Sequence, residues 1–182
     1  MTGVRKTTPI VVGIATFLVV IAMGVLHEAG HAVAAKALGY EIRANINSVG
    51  LASGHYRTPL DAMIVSAAGP VITIAIALWS MTWRDRRAWL APVIVFAALW
   101  SRALAAIVSV ANPNDEARVG LELGIGFWTL PIAVSVLLAL LFVRLARKRR
   151  LGMSWFMAFW LGASFGFATL VFGEALLPDL RF

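Results

Sequence analysis

The sequence predicts an all-α polytopic membrane protein with about five transmembrane helices and a short re-entrant β-hairpin between the first and second. Two observations predict this class. Of the 182 residues, 60% are hydrophobic and only 14% are charged. The apolar residues also form runs near or above the roughly 20 residues that a helix needs to cross a bilayer. This composition excludes an ordinary soluble domain and a disordered chain.

Hydropathy defines five spans within a single transmembrane domain, residues 1–182. They cover about residues 9–38, 59–83, 88–111, 119–143 and 152–177. Pro9 favours the start of the first helix and Gly39 favours its end, while Pro59 opens the second helix. A secretory signal peptide is an alternative for residues 1–35, but the apolar run is longer than a typical signal core.

The segment YEIRANINSVGLASGHY, residues 40–56, joins the first two spans. It alternates apolar and polar residues around Gly50 and Gly54, which favours a short hairpin over a helix. Non-helical backbone at membrane depth must be covered by protein or line a wet cavity. We expect Asn45, Asn47 and Ser48 to form a polar mouth with the loop 111–118.

The basic residues fall in short clusters between the apolar spans, as orientation signals do. Ten of the 16 Lys and Arg residues lie on one side, at the N-terminus, in RDRR (84–87) and in RLARKRR (144–150). The positive-inside rule then places the N-terminus in the cytoplasm, and we expect the plasma (inner) membrane of a prokaryote. We therefore attribute the net charge of +7 to orientation in the lipid bilayer and not to nucleic-acid binding.

HEAGH, residues 27–31, is the most specific motif and lies late in the first span. Histidines at i and i+4 share one helical face and can bind one zinc ion. Zinc lowers the pKa of a water molecule to about 7, and Glu28 can take its proton as general base. The chain has no cysteine, so His27, His31 and oxygen ligands must hold any metal.

A catalytic zinc needs a third protein ligand, and Asp115 is the main candidate. Pro113 interrupts the preceding helix, so the irregular chain could turn a carboxylate back toward the metal. Glu116 and His55 are the alternatives. Arg102 lies within the third predicted span, where we expect a structural ion pair or a hydrated cavity.

These residues resemble the site-2 protease family of intramembrane zinc metalloproteases. The resemblance covers about the first two-thirds of the chain and is carried by HEAGH, by SAAGP (66–70) in the next span and by NPND (112–115). It implies zinc bound by His27, His31 and an aspartate, with Glu28 as general base and a hairpin that pairs with an unwound substrate strand. The chain differs from the family's usual NPDG or LDG, because Asn114 follows the proline.

The sequence therefore predicts an intramembrane zinc metalloendopeptidase that cleaves a membrane-spanning or membrane-proximal protein segment. Adding an unwound substrate to an exposed strand edge would replace its helical hydrogen bonds with sheet bonds. A non-proteolytic scaffold of the same fold is the alternative, and it would not need a third ligand such as Asp115. A metal transporter would need further ligands along a path through several helices. Regulation is expected from a membrane partner or from the hairpin itself.

Overall fold

A computed structural model describes residues 7–85 and 87–181 of the chain. In chain order the helices and strands are α1 (Pro9–Ala37), β1 (Ile42–Ala44), β2 (Val49–Leu51), α2 (Pro59–Ser80), α3 (Leu90–Val108), α4 (Asp115–Glu122), α5 (Thr129–Arg149), α6 (Met153–Gly173) and β3 (Leu180–Arg181). A 3-10 turn, Glu174–Leu176, follows α6. Arg5, Lys6 and Arg86, which contribute to the predicted orientation, lie outside the described residues.

Within residues 7–85 and 87–181, five helices (α1, α2, α3, α5 and α6) are long and apolar enough to cross a membrane, so the predicted number of candidate spans is confirmed. Their outward surface is apolar: Ile10, Leu140 and Phe172 are 75%, 64% and 74% exposed. Contact with water would be unfavourable for so large an apolar surface, whereas contact with the hydrocarbon of a bilayer would be favourable. The fold is therefore compatible with a multi-pass membrane protein.

The local sequence explains where α1 and α2 begin and where α1 ends. Thr8 caps α1 by accepting a hydrogen bond from the backbone N–H of Val11 at 3.5 Å, with Pro9 in the first helical position. Gly39, at a φ of +79°, turns the chain away after α1. Thr58 and Pro59 repeat the same start at α2.

The predicted fourth span, 119–143, is wrong in its bounds. The structure places a short polar helix, α4, before the long apolar helix α5, which begins at Thr129. Gly124 and Gly126 take φ values of +68° and +95°, conformations that only glycine adopts easily, and they separate the two helices. Hydropathy alone merged the end of α4 with α5 because no long polar linker divides them.

Helix α1 lies at the centre of the bundle and packs against α2, α3 and α6. Small residues bring α6 close to α1: a methyl group at Gly166 would lie 2.9 Å from the carbonyl oxygen of Phe17. Buried Val12 and Val20 of α1 belong to the same apolar core as Phe159 of α6. The central position of α1 gives the HEAGH motif protein neighbours on several sides.

The predicted hairpin is present, but its turn differs from the expected one. Strands β1 and β2 pair antiparallel, with Ile42 opposite Leu51 and Ala44 opposite Val49. Asn45 makes the turn, because its side-chain oxygen accepts hydrogen bonds from the backbone N–H groups of Asn47 and Ser48 at 3.0 and 2.8 Å. Gly50 therefore lies within a strand and not at the turn.

A third strand, β3, was not predicted. It pairs antiparallel with β1 on the side opposite β2, so the strand order is β2-β1-β3. Two residues, Leu180 and Arg181, carry too little periodicity to identify a strand from sequence. The hairpin, α4 and β3 thus meet at one end of the bundle, where α1 also carries HEAGH.

Candidate metal centre

The two histidines of HEAGH meet on one face of α1. Their four-residue separation places the Nε2 atoms of His27 and His31 3.1 Å apart, and both side chains are buried. The imidazole rings lie nearly perpendicular, at 88°, with centroids 4.7 Å apart. The helix alone therefore presents two nitrogen ligands to one point.

Asp115 supplies a third ligand atom from a distant part of the chain. Asn114 caps α4 by accepting a hydrogen bond from the N–H of Ala117 at 2.9 Å, which makes Asp115 the first residue of that helix. Its Oδ2 atom lies 3.1 Å from Nε2 of His27 and 3.5 Å from Nε2 of His31. Asn114, which departs from the family's usual motif, thus has a local structural role as the helix cap.

The separations of these three atoms fit a metal ion. One ligand atom each from His27, His31 and Asp115 lies within 4.8 Å of the others. Ligands about 2.0–2.1 Å from a tetrahedral ion stand about 3.3 Å apart, which is close to the three distances above. The group could therefore hold a metal ion without rearrangement.

The contacts at Nδ1 of His27 and His31, on the opposite side of each ring from Nε2, support the same possible metal site. Nδ1 of His31 lies 2.7 Å from the carbonyl oxygen of Val65, which can only accept, so Nδ1 carries the hydrogen. Nδ1 of His27 lies 3.2 Å from Oγ1 of Thr73, and that hydroxyl donates its own hydrogen to the carbonyl of Gly69. In its neutral form, each imidazole therefore presents a lone pair at Nε2.

With both rings neutral, two nitrogen lone pairs and a carboxylate oxygen converge with no hydrogen between them. Such an arrangement is repulsive unless a metal ion or a proton lies among the three atoms. The chemistry of this donor set, two imidazoles and one carboxylate, suits zinc and other divalent metals that prefer nitrogen and oxygen.

Gly69 allows α2 to approach the two rings. A methyl group at this position would lie 2.5 Å from Nε2 of His31 and 2.7 Å from Nε2 of His27, closer than carbon and nitrogen can pack. On α1, Gly30 permits the same approach, because a methyl group there would lie 3.1 Å from the carbonyl oxygen of Ala68. The SAAGP segment thus has a steric role in the site.

Arg102 pairs with the acidic residues at the start of α4. Its Nη1 atom lies 3.4 Å from Oε1 of Glu116 and 3.5 Å from Oδ2 of Asp115, and Arg102 and Glu116 are both buried. The expected structural ion pair is therefore present. Glu116 faces Arg102 and is not one of the three converging ligands, while His55 lies exposed in the loop before α2.

The electrostatic surroundings keep Asp115 ionised. Burial alone would raise the pKa of Asp115, but hydrogen bonds and positive charge from His27 and His31, when these rings carry a second proton, outweigh burial and hold the pKa of Asp115 well below its usual range. A carboxylate must be ionised to bind a metal, so Asp115 is ready to act as a ligand.

A polar cleft of about 230 Å³ opens beside this group. Its lining includes Glu28 together with His31 and Asp115, so the predicted general base faces the same space as two of the metal-ligand candidates. Asn47 and Ser48 also line it, in agreement with the predicted polar mouth, whereas Asn45 does not. All three side chains donate hydrogen bonds to Glu174. Water could reach the three converging atoms through this cleft.

Several cleft residues have side chains that can donate hydrogen bonds to a bound peptide, among them Asn47, Tyr56 and Arg118. Burial raises the pKa of the Tyr56 hydroxyl, which therefore keeps its hydrogen at neutral pH.

No protein-family model, curated protein or solved structure matches this chain. The resemblance to the site-2 protease family therefore rests on the motifs and stays a prediction.

The SAAGP motif contained Gly69, but nothing in the sequence analysis predicted the roles of Val65 and Thr73 on the same helix. Val65, Gly69 and Thr73 recur every four residues and form one stripe of that helix facing the histidines. Such a stripe, with a threonine in an otherwise apolar helix, could have pointed to a buried polar contact.

Proposed function

We propose that this protein is an intramembrane zinc endopeptidase that cleaves a membrane-spanning or membrane-proximal protein segment. The convergence of His27, His31 and Asp115 carries this proposal, because two neutral imidazoles and a carboxylate offer three acceptor atoms to one metal ion. The sequence HEAGH adds a glutamate beside two ligands, which is the arrangement that zinc peptidases use. A scaffold without catalytic activity would not need Asp115 at 3.1 Å from His27.

His27, His31 and Asp115 would hold the zinc ion. When bound, the ion supplies Lewis acidity, which acidifies water and polarises a peptide carbonyl. The cleft leaves one side of the three ligand atoms open to water and substrate, as catalytic metal sites do.

Glu28 would act as the general base. From the cleft wall it takes a proton from the attacking water and then passes a proton to the leaving peptide nitrogen. The donors Asn47, Tyr56 and Arg118 would bind substrate carbonyl groups and orient the scissile bond. Thr73 and the Val65 carbonyl keep both imidazoles in the tautomer that binds metal.

A transport function has less support. Among residues 7–85 and 87–181, His27, His31 and Asp115 form the one group of metal-ligating side chains that could hold an ion. A transporter needs successive sites along a pathway.

We place the protein in the plasma membrane of a prokaryote, with the N-terminus in the cytoplasm and the metal centre toward the outer face. The lipid bilayer and a transmembrane protein substrate are its expected partners, and a membrane protein could regulate it.

The decisive experiment is cleavage of a synthetic transmembrane-helix peptide that carries a fluorophore and a quencher. The wild-type protein with bound zinc should cleave it, whereas Glu28→Gln should be at least about 100-fold slower with unchanged zinc content. Glu122→Gln, an exposed carboxylate on α4, is the matched control and should behave as wild type. Equal rates for Glu28→Gln and wild type would refute the assigned base. A zinc-loaded wild type that cleaves nothing would favour the scaffold.

A further inference from the structure

Strand β3 fills the second edge of β1. Arg181 lies opposite Arg43 and Leu180 lies opposite Ala44, so the main chain after α6 completes the hydrogen-bonding edge that β2 leaves open. An additional peptide strand can pair with β1 only where β3 now lies.

The segment Leu177–Arg181, which includes β3, also borders the proposed catalytic residues. It forms one wall of an apolar groove of about 440 Å³, whose opposite wall is α1 at Val25, Glu28, Ala29 and Ala32. Glu28 lines both this groove and the polar cleft at the metal centre. A peptide that replaced Leu177–Arg181 on β1 would therefore face Glu28 across the groove.

Polar contacts, with little apolar burial, hold this segment in place. Asp179 lies 3.5 Å from the Arg43 guanidinium and accepts a hydrogen bond from Asn45 at 3.2 Å. The side chains of Leu177 and Leu180 remain 51% and 61% exposed. A short strand with exposed side chains and surface ion pairs is easily displaced.

We propose that Leu177–Arg181 is an autoinhibitory strand. It occupies the β1 edge, on which the resemblance to the site-2 protease family implies that an extended substrate segment pairs, and it must leave this edge before substrate can bind there. The inference rests on the proposed function and deepens it. The segment indicates the ligand chemistry: an extended peptide with an apolar residue facing the groove, as Leu180 does, and an acidic residue near Arg43, as Asp179 is. Substrate and Leu177–Arg181 then compete for one edge.

A reversible cross-link tests this competition. The chain has no cysteine. Paired residues on neighbouring antiparallel strands have Cα atoms about 4.5–5.5 Å apart, within the range for a disulfide. Ala44→Cys with Leu180→Cys should therefore lock β3 on β1 when oxidised and release it when reduced.

Two readouts separate this inference from the protease proposal. The first is cleavage of the fluorogenic transmembrane peptide, which should fall at least about tenfold on oxidation with unchanged zinc content. The second is binding of a fluorescein-labelled peptide LLPDLR, the sequence of residues 176–181, to the same cysteine pair combined with Glu28→Gln. The probe should bind the reduced protein and not the oxidised one.

The control cross-links β1 to β2 instead, through Ile42→Cys and Leu51→Cys, which are also paired. Comparing oxidised and reduced forms of each variant removes the effect of the substitutions themselves, and this control should not depend on redox state. Equal probe binding by the locked and released forms, with complete cross-linking shown by mass, would overturn the inference. Absence of cleavage in both forms would contradict the protease proposal, while probe binding would still decide about the β1 edge.

Asp179→Asn provides a milder change. The substitution removes the negative charge that pairs with Arg43 and so weakens the attachment of β3 to β1. The affinity of the LLPDLR probe should therefore increase several-fold. An unchanged or weaker affinity would contradict competition between the segment and the probe.

Discussion

Nε2 of His27 lies 3.1 Å from Oδ2 of Asp115, although 88 residues separate the two in the chain. This contact joins the centre of the bundle to the start of a short polar helix outside the spans. It adds a third side chain to the two-histidine motif, and the three together form a group that could hold a metal ion.

Elemental analysis of the purified protein should find about one zinc per chain, in a site with three protein ligands. His27→Ala should lose the zinc, and Asp115→Ala should bind it much more weakly, because each substitution removes one ligand. His55→Ala is the matched control and should retain the metal, since His55 is exposed and outside the group. Full zinc retention in Asp115→Ala would move the third ligand elsewhere.

Thr73→Val should weaken zinc binding about 10–100-fold, the usual effect of removing an outer hydrogen bond to a histidine ligand. Valine keeps the shape but cannot accept the hydrogen of His27 Nδ1. Competition with a chromogenic zinc chelator measures the change. Thr169→Val is the control, because the exposed hydroxyl of Thr169 donates only to the carbonyl of Phe165 within its own helix. Equal affinities for the two variants would contradict the role assigned to Thr73.

Gly69→Ala should disrupt zinc binding by steric clash. The added methyl group would lie 2.5–2.7 Å from ring atoms of both histidines, so α2 or the rings must move. Zinc stoichiometry and thermal unfolding should both fall. Gly152→Ala has open space around the new methyl group and should leave both unchanged. A Gly69→Ala variant with normal zinc content would show that the helices can separate freely.

Arg102 and Glu116 should behave as a coupled buried pair. Removing one partner leaves the other charge buried, which typically costs about 3–5 kcal/mol of folding free energy. Arg102→Met and Glu116→Gln should each destabilise the protein, while the double variant should lose less than the sum. Denaturant unfolding in detergent gives the double-mutant cycle. Additive losses would mean that the two side chains do not interact.

The proposed orientation predicts which loops face the outside of the cell. In this cysteine-free chain, His55→Cys should react with a membrane-impermeant maleimide on intact cells. Asp85→Cys, in the loop between α2 and α3, should react only after the membrane is opened. The reverse pattern would place the N-terminus outside and the metal centre toward the cytoplasm.

Much of this architecture follows from short-range sequence patterns. Apolar runs of sufficient length identify the spans, and Thr8 with Pro9 marks the start of α1. The i and i+4 spacing alone places His27 and His31 on one helical face, because helical geometry is local. Hydropathy was less reliable at α4, where a short polar helix lies directly before an apolar one.

The sequence by itself determined the number of long apolar helices and the pair of histidines. Only the tertiary structure decided among Asp115, Glu116 and His55, directed Glu116 to Arg102, and placed β3 on the edge of β1. The physical reason is the range of the interactions. Helix formation and side-chain facing depend on neighbours a few residues away, whereas a third ligand or a third strand depends on how distant segments pack together.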